Sequence, residues 1–414
     1  MRAQGRHTLR VLVGLIALGT AIRLAFAFGT NGDRFDLQSF DLVGGFLHDG
    51  HPLDVYSQAT ADPPLVRWPY PPVFFPVIYL VRGIAENSPL AIDDLIRVVF
   101  IAVDALLAWL VFKLLLLRDG SDRRALTGAA LVALGPSLIA VSGYHGQLDT
   151  LAWLPVVAAL YVWEGGGSRR GLYAGLLVGL AAGLKTVPIV AVLALLPTAR
   201  SRREQLTAMV AAAAVPLAFF LPFVLADASG VADAVDYRGL PGFGGLSLLV
   251  QPDLAVAWLS HTQPTSTALT DRLQDLNVVF VAVSVLATAA VCWRAKTPAP
   301  RAALMLVLAV AVAGVNFNVT YAAWIAILLI AAGLLREALL LQAWMLVPTV
   351  LAKLSREIDG GLPEWLVRWV YVPMMIAVLL AFTIGWVRLG LAELSRARPA
   401  RGSAEVPIVP SRGS

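Results

Sequence analysis

The stretch DRFDLQSFDLVGGFLHDGHPLDVYSQATADPPLVRWPYPP, residues 33–72, decides how the rest of the chain is read. It follows an apolar run, residues 9–28, of about twenty residues, the length that crosses a hydrocarbon core at the helical rise. Residues 33–72 are thus where the chain first leaves oil for water, and carboxylates, histidines, aromatics and prolines crowd there. Arg2, Arg6 and Arg10 precede the run. It is long for a signal-peptide core and no small-x-small cleavage site follows it, so it reads as a retained signal-anchor helix.

Working outward, the same alternation recurs along all 414 residues. The chain is 58% hydrophobic and 14% charged, with a mean hydropathy of +0.75. Soluble domains average about 45–50% apolar and about 25% charged. Apolar runs fall at 9–28, 94–117, 125–143, 148–163, 171–184, 187–199, 206–226, 275–293, 301–318, 321–335, 338–352 and 366–388. The expectation is an all-α polytopic membrane protein with about twelve transmembrane helices. Its single membrane domain covers 1–395, with a long first outer loop, 29–93, that carries juxtamembrane helices. The lone Cys292 excludes an internal disulfide and reads as a small buried hydrophobe.

The basic residues set the topology. They cluster at Arg2/Arg6/Arg10, Arg118/Arg123/Arg124, Arg169/Arg170, Arg200/Arg202/Arg203, Arg294/Lys296/Arg301, Arg336 and Arg388/Arg396/Arg398/Arg401. With the N-terminus inside, twelve crossings place every cluster on the cytoplasmic side, where positive charge is favoured. Nucleic acid is not implied by this charge, because it lies in short patches between apolar runs. Counting Tyr70–Ala85 as a span would reverse that parity. This segment therefore reads as a juxtamembrane or re-entrant helix started by Pro71 and Pro72. The tail, 396–414, is rich in Arg, Pro, Gly and Ser and reads as a disordered cytoplasmic segment.

On this topology three polar motifs share the outer face. They are Asp33/Asp36/Asp41, the turn Gly143-Tyr144-His145-Gly146-Gln147-Leu148-Asp149, and Gly183-Leu184-Lys185-Thr186-Val187-Pro188. An ionised Asp can take the proton of an attacking hydroxyl. Lys185 or His145 can stabilise a departing phosphate. The greasy aromatic first loop suits an amphiphilic donor, and no cytoplasmic Gly-rich loop offers a nucleotide site.

Asp36, Gly50, Tyr56 and Tyr70-Pro71-Pro72, with the HGQLDTLA and GLAAGLKTVP stretches, resemble the glycosyltransferase C superfamily. Among its members the resemblance is to bacterial polyprenyl-phosphate-mannose-dependent mannosyltransferases, and it is carried by residues 9–200. It implies inverting transfer, which the arginine topology places on the extracytoplasmic face of the plasma membrane, with both termini cytoplasmic. The implied base is Asp36, which Phe40, Gly44 and Gly50 follow at the family's spacing; many members carry an acidic pair in this loop, so Asp33 and Asp41 are the alternative holders of that role. The implied donor is a polyprenyl-phosphate sugar, most simply mannose, and the acceptor a lipid or glycan. Neither nucleotide, metal nor other cofactor is implied. Candidate substrate contacts are Asp33, Asp41, Trp68, Tyr70, His145, Gln147, Asp149, Lys185 and Arg238. One departure concerns the late outer loops. Where relatives carry a basic residue or His, this chain offers Asn316, Asn318, Tyr321 and Arg356, with Arg238 earlier.

Each residue also has a plainer reading. Asp36 would N-cap a short helix starting near Leu37. Asp33 and Asp41 would be solvated. Gln147 and Asp149 would tie helix ends together, and Lys185 would snorkel to headgroups. Asp104, mid-run, must face protein, and Arg23 is a candidate partner. The tryptophans Trp68, Trp153, Trp163, Trp365 and Trp369 read mainly as interface-belt residues. The competing function is a multi-pass transporter or lipid flippase. A transporter would carry its ionisable groups near the midplane, whereas here they crowd at one rim.

Overall fold

The computed structural model describes residues 2–58, 68–236 and 239–397. Among the described residues every regular element is helical. Six helices are long and apolar enough to cross a membrane: Arg6–Gly29, Ile92–Asp119, Arg202–Ala226, Asn277–Ala295, Leu335–Glu357 and Glu364–Ala397. Asp122–Ala133 and Pro136–His145, bent by 41°, make a seventh if taken together. Four more, Arg170–Leu184, Val187–Thr198, Ala299–Ala313 and Val319–Ala331, are apolar but shorter. With Asp149–Gly165, which takes up run 148–163, each of the twelve apolar runs carries a helix, but only six or seven reach spanning length. The shortfall has a physical reason. Every residue of the helix Ala322–Ala331 is buried by protein, and a helix shielded by its neighbours need not match the bilayer thickness.

The lipid-facing surface is elsewhere. The apolar windows of Arg202–Ala226 and Asn277–Ala295 are only 17% buried, and Leu217, Leu225 and Val278 stand exposed. A bare apolar face of that extent on helices of spanning length suits a hydrocarbon environment.

Two packing devices position the functional end of the bundle. The first is a stripe of Gly171, Gly175, Gly179 and Gly183, four residues apart on one face of the helix Arg170–Leu184. A Cβ on Gly175 would lie 2.4 Å from the carbonyl oxygen of Ala208, and one on Gly179 2.7 Å from that of Ala212. The two backbones therefore touch, as small residues permit between membrane helices. At the end of the stripe, a Cβ on Gly183 would lie 2.4 Å from Val73 Cγ2. This draws the Tyr70-Pro71-Pro72 segment to the helix C-terminus, beside Lys185.

The second device is aromatic. Phe40 packs edge-on to Trp68 at 5.6 Å and to Phe74 at 5.9 Å, and Phe74 stacks on Phe100 at 5.8 Å. These rings hold the loop helices Arg34–His48 and Phe75–Glu86 against Ile92–Asp119. A 3-10 turn, Pro72–Phe74, precedes Phe75–Glu86, with proline at its start as the sequence predicts. The 12 residues of Phe75–Glu86 fall short of a span.

Three sequence readings are settled by the packing. The first loop helix begins at Arg34, not near Leu37, so Asp36 lies in its first turn and is not its N-cap. Asp33 holds the N-cap position without making a side-chain cap. Asp104 does meet Arg23, at 2.7 Å, with both side chains buried. Trp68, Trp153 and Trp163 are core residues rather than belt residues, at 0–1% exposure, whereas Trp365 and Trp369 are exposed. Their rings fill protein cavities because the helices around them converge there. The expected disordered tail, 396–414, lies outside the described residues from 398 onward.

Candidate active site

The turn after the bent helix pair builds the site. Residues Ala140–His145 form a π-helical turn, and Gly146 closes it in the left-handed region at φ 74°. Only glycine fits there: a Cβ would also lie 2.6 Å from Leu37 Cδ2. The turn is thereby seated on Leu37, next to Asp36. Turns of this kind inside helices recur at functional positions.

The contacts follow from that seating. His145 Nε2 bonds Asp36 Oδ2, and Gln147 Nε2 donates to the same oxygen at 3.1 Å. Among the described residues no hydrogen bond falls on Asp36 Oδ1. The Asp36 side chain keeps 17% exposure, whereas His145 keeps 2% and Asp33 none. On the other edge of the imidazole, His145 Nδ1 lies 3.4 Å from Asp33 Oδ2. That Asp33 oxygen also takes Lys353 at 3.4 Å and Arg356. Lys353 and Arg356 stand three residues apart on one face of the last turns of Leu335–Glu357, where a helix dipole favours cations. Tyr144 donates to Glu357 on the same helix end.

A second constellation lies alongside. Asp149, fully buried at the start of the helix Asp149–Gly165, accepts from Lys185 Nζ at 2.5 Å and from Trp324 Nε1 at 2.7 Å. The Lys185 ammonium stands 4.9 Å from the centre of the Trp324 ring, 5.1 Å from Tyr321 and 5.6 Å from Tyr70.

The structure thus gathers Asp33, Asp36, His145, Gln147, Asp149, Lys185 and Tyr70 at one end of the bundle. It does not gather the rest. Asp41 pairs instead with Arg82, on a half-exposed surface. Trp68 is buried among the loop aromatics. Arg238 lies outside the described residues. Lys185 points inward to Asp149 rather than outward to headgroups. Lys353 went unrecognised because it closes an apolar run. Its spacing from Arg356 was the available signal, since i and i+3 share a helix face.

Asp36 is electrostatically unusual. Burial and the neighbouring Asp33 carboxylate push its pKa up from an ordinary 3.8 to about 6, against the pull of Arg356, Lys353 and Lys185. Ligand atoms of Asp33, Asp36 and His145 come within 4.8 Å of one another, a spacing a cation could use. Lys353 and Arg356 already neutralise Asp33, however, so the donor set suits a metal poorly.

The sequence model of glycosyltransferase family 87 matches residues 68–315, more than half of the chain. The chain belongs to that family. The family 87 match starts within the first outer loop, beyond Asp36, and covers the turn at His145 and the buried Lys185. Comparison with curated proteins finds no match. Among solved structures, the chain is similar to the oligosaccharyltransferase of Archaeoglobus fulgidus tethered with an acceptor peptide, at 14% identity and a TM-score of 0.41. That similarity covers 94% of this chain and 56% of the archaeal one, so the chain spans little more than half its length.

Proposed function

We propose that this family 87 member is a membrane glycosyltransferase that moves a sugar from a polyprenyl-phosphate donor to a lipid or glycan hydroxyl. The observation that carries the reading is the carboxylate of Asp36, anchored through Oδ2 by His145 and Gln147 with no hydrogen bond on Oδ1 among the described residues. Oδ1 takes the proton of the acceptor hydroxyl. The acceptor oxygen forms its bond to the anomeric carbon as the bond to phosphate breaks, and the electron pair leaves with the phosphate. Attack opposite the leaving group inverts the anomeric centre. Mannose is the sugar we infer, and the extracytoplasmic face of the plasma membrane the side.

The phosphate binder differs from the sequence expectation. Lys185 is engaged by Asp149, and His145 by Asp36. We assign the departing phosphate to Lys353 and Arg356, two cations facing the carboxylates of Asp33 and Asp36, which leave one net positive charge once Asp36 has taken the acceptor proton. A cleft of about 640 Å³ lined by apolar residues such as Leu47, Pro72, Phe75, Tyr79, Phe219 and Phe223 opens on the first-loop helices, and it supports a substrate with a hydrocarbon chain. The transporter reading is weaker, because the buried carboxylate Asp104, mid-run in its helix, is already engaged through Oδ2 by Arg23.

The test is incubation of purified protein in nanodiscs with labelled polyprenyl-phosphate mannose and a lipid acceptor fraction. Product should form from the lipid-linked donor and not from a sugar nucleotide; the reverse preference overturns the reading. In the same assay, replacing both cations (Lys353→Met with Arg356→Met) should lower kcat by roughly 10²–10³-fold, the scale of lost charge stabilisation at a leaving group. Asp33→Asn, which leaves both cations in place, should cost far less.

The pH dependence follows from Asp36. A base must be ionised, so kcat/KM should fall as pH drops through about 6, two units above an ordinary aspartate limb at 3.8. A rate that holds level down to pH 5 would show that a different group removes the proton.

A further inference from the structure

We infer that His145, backed by Asp33, is a positioning residue that sets the basicity and aim of Asp36, and not a contact for substrate. The inference rests on the reading of Asp36 as the base. Four observations carry it. The imidazole is 2% exposed and offers no surface to a ligand. Its Nε2 is committed to Asp36 Oδ2, the oxygen that Gln147 also holds. An ionised carboxylate only accepts, so Nε2 carries the hydrogen of that bond. Its Nδ1 faces Asp33 Oδ2 at 3.4 Å and makes no hydrogen bond of its own among the described residues. The ring has little room to swing away, because the turn that presents it is seated on Leu37 through Gly146.

Asp33 completes the arrangement. It is fully buried and lies between His145 on one side and Lys353 and Arg356 on the other. The cations hold its charge, so it does not draw the imidazole away from Asp36. The charged and titratable groups that act on Asp36 are therefore Asp33 on its own helix, His145 from the turn, Lys185, Lys353 and Arg356. The phenol of Tyr321 also feels its charge. Of these groups, His145 alone donates a hydrogen bond to Asp36. A donor stabilises the ionised carboxylate, and its loss must shift the proton affinity upward.

The experiment reads Asp36 directly in the full chain in nanodiscs. Difference infrared spectra across a pH titration give the protonation midpoint of the carboxyl band that disappears in Asp36→Asn. His145→Ala should raise that midpoint by about one pH unit. His145→Gln, which keeps an amide donor near the Nε2 position, should stay close to wild type. An unmoved midpoint in His145→Ala overturns the inference, as does a His145→Gln midpoint that moves as far as that of His145→Ala. In the transfer assay, kcat should fall in His145→Ala with donor KM unchanged. A raised KM with an unmoved midpoint would make His145 a substrate contact. If Asp36→Asn were fully active, the base reading would fail, while the midpoint shift would still stand or fall separately.

Discussion

Asp36→Asn is expected to reduce sugar transfer by roughly 10²–10⁴-fold, the contribution of a positioned general base, without unfolding the protein. The substitution is nearly isosteric. The asparagine carbonyl oxygen can still accept from His145 and Gln147 at the Oδ2 position, so the turn at Ala140–His145 keeps its anchor. What is lost is the second oxygen, the one that takes a proton from the acceptor. Because the phosphate site proposed at Lys353 and Arg356 is untouched, donor KM should stay within a few fold and the loss should fall on kcat. Asp41→Asn is the informative control. Asp41 pairs with Arg82 on a half-exposed surface, where ion pairs contribute about 0–1 kcal/mol, so activity and Tm should scarcely move. Initial rates over a donor series for both variants check the claim. An Asp36→Asn enzyme within tenfold of wild type, or an Asp41→Asn enzyme that is dead, would move the base to another carboxylate.

Much of this arrangement was legible in the sequence, and the reasons differ by residue. Asp36, His145 and Gln147 were legible because each lies at the end of an apolar run, and the arginine pattern puts those ends on one side. The Arg23–Asp104 pair was legible because two charges in apolar runs have few other partners available to them. The role of Lys185 was not. Its motif gives its place at the end of Arg170–Leu184, but nothing local announces that Asp149 and Trp324, the latter 139 positions beyond Lys185 in the numbering, converge on it. Lys353 was hidden for a similar reason: its partner Asp33 is 320 residues away. Helix length supports six or seven of the twelve expected spans, because apolar composition reports burial, and protein can bury a short helix as well as lipid can. Asp41 shares the chemistry of Asp36 and lies on the same helix, and the helix register turns it toward Arg82 instead of toward the turn.

That same buried pair gives the second large expected effect, on stability first and on transfer through it. Arg23→Met should cost roughly 3–5 kcal/mol, the scale of breaking a buried ion pair by removing one partner. Asp104 would then be left with Ser142 as its one remaining donor among the described residues. Asp104→Asn should cost less. Arg23 would keep the hydroxyl of Ser142 at 3.0 Å and the carbonyl oxygens of Gly19, Val132 and Ala133, which go far toward solvating a guanidinium. The double variant Arg23→Met with Asp104→Leu removes both charges and should recover part of the loss, so the two single effects should not add. Unfolding followed by tryptophan fluorescence in nanodiscs checks the order: Arg23→Met lowest, the double variant above it, Asp104→Asn nearest wild type. The link to chemistry runs through the turn. Ser142 bonds both members of the pair, and a Cβ on its neighbour Gly143 would lie 3.1 Å from Arg23 Cα. The pair therefore fixes the base of the segment that ends at His145. Transfer by Arg23→Met should fail at temperatures where the bundle is still folded, with kcat falling ahead of Tm. If transfer and unfolding were lost together, the pair would serve the bundle as a whole and not the turn.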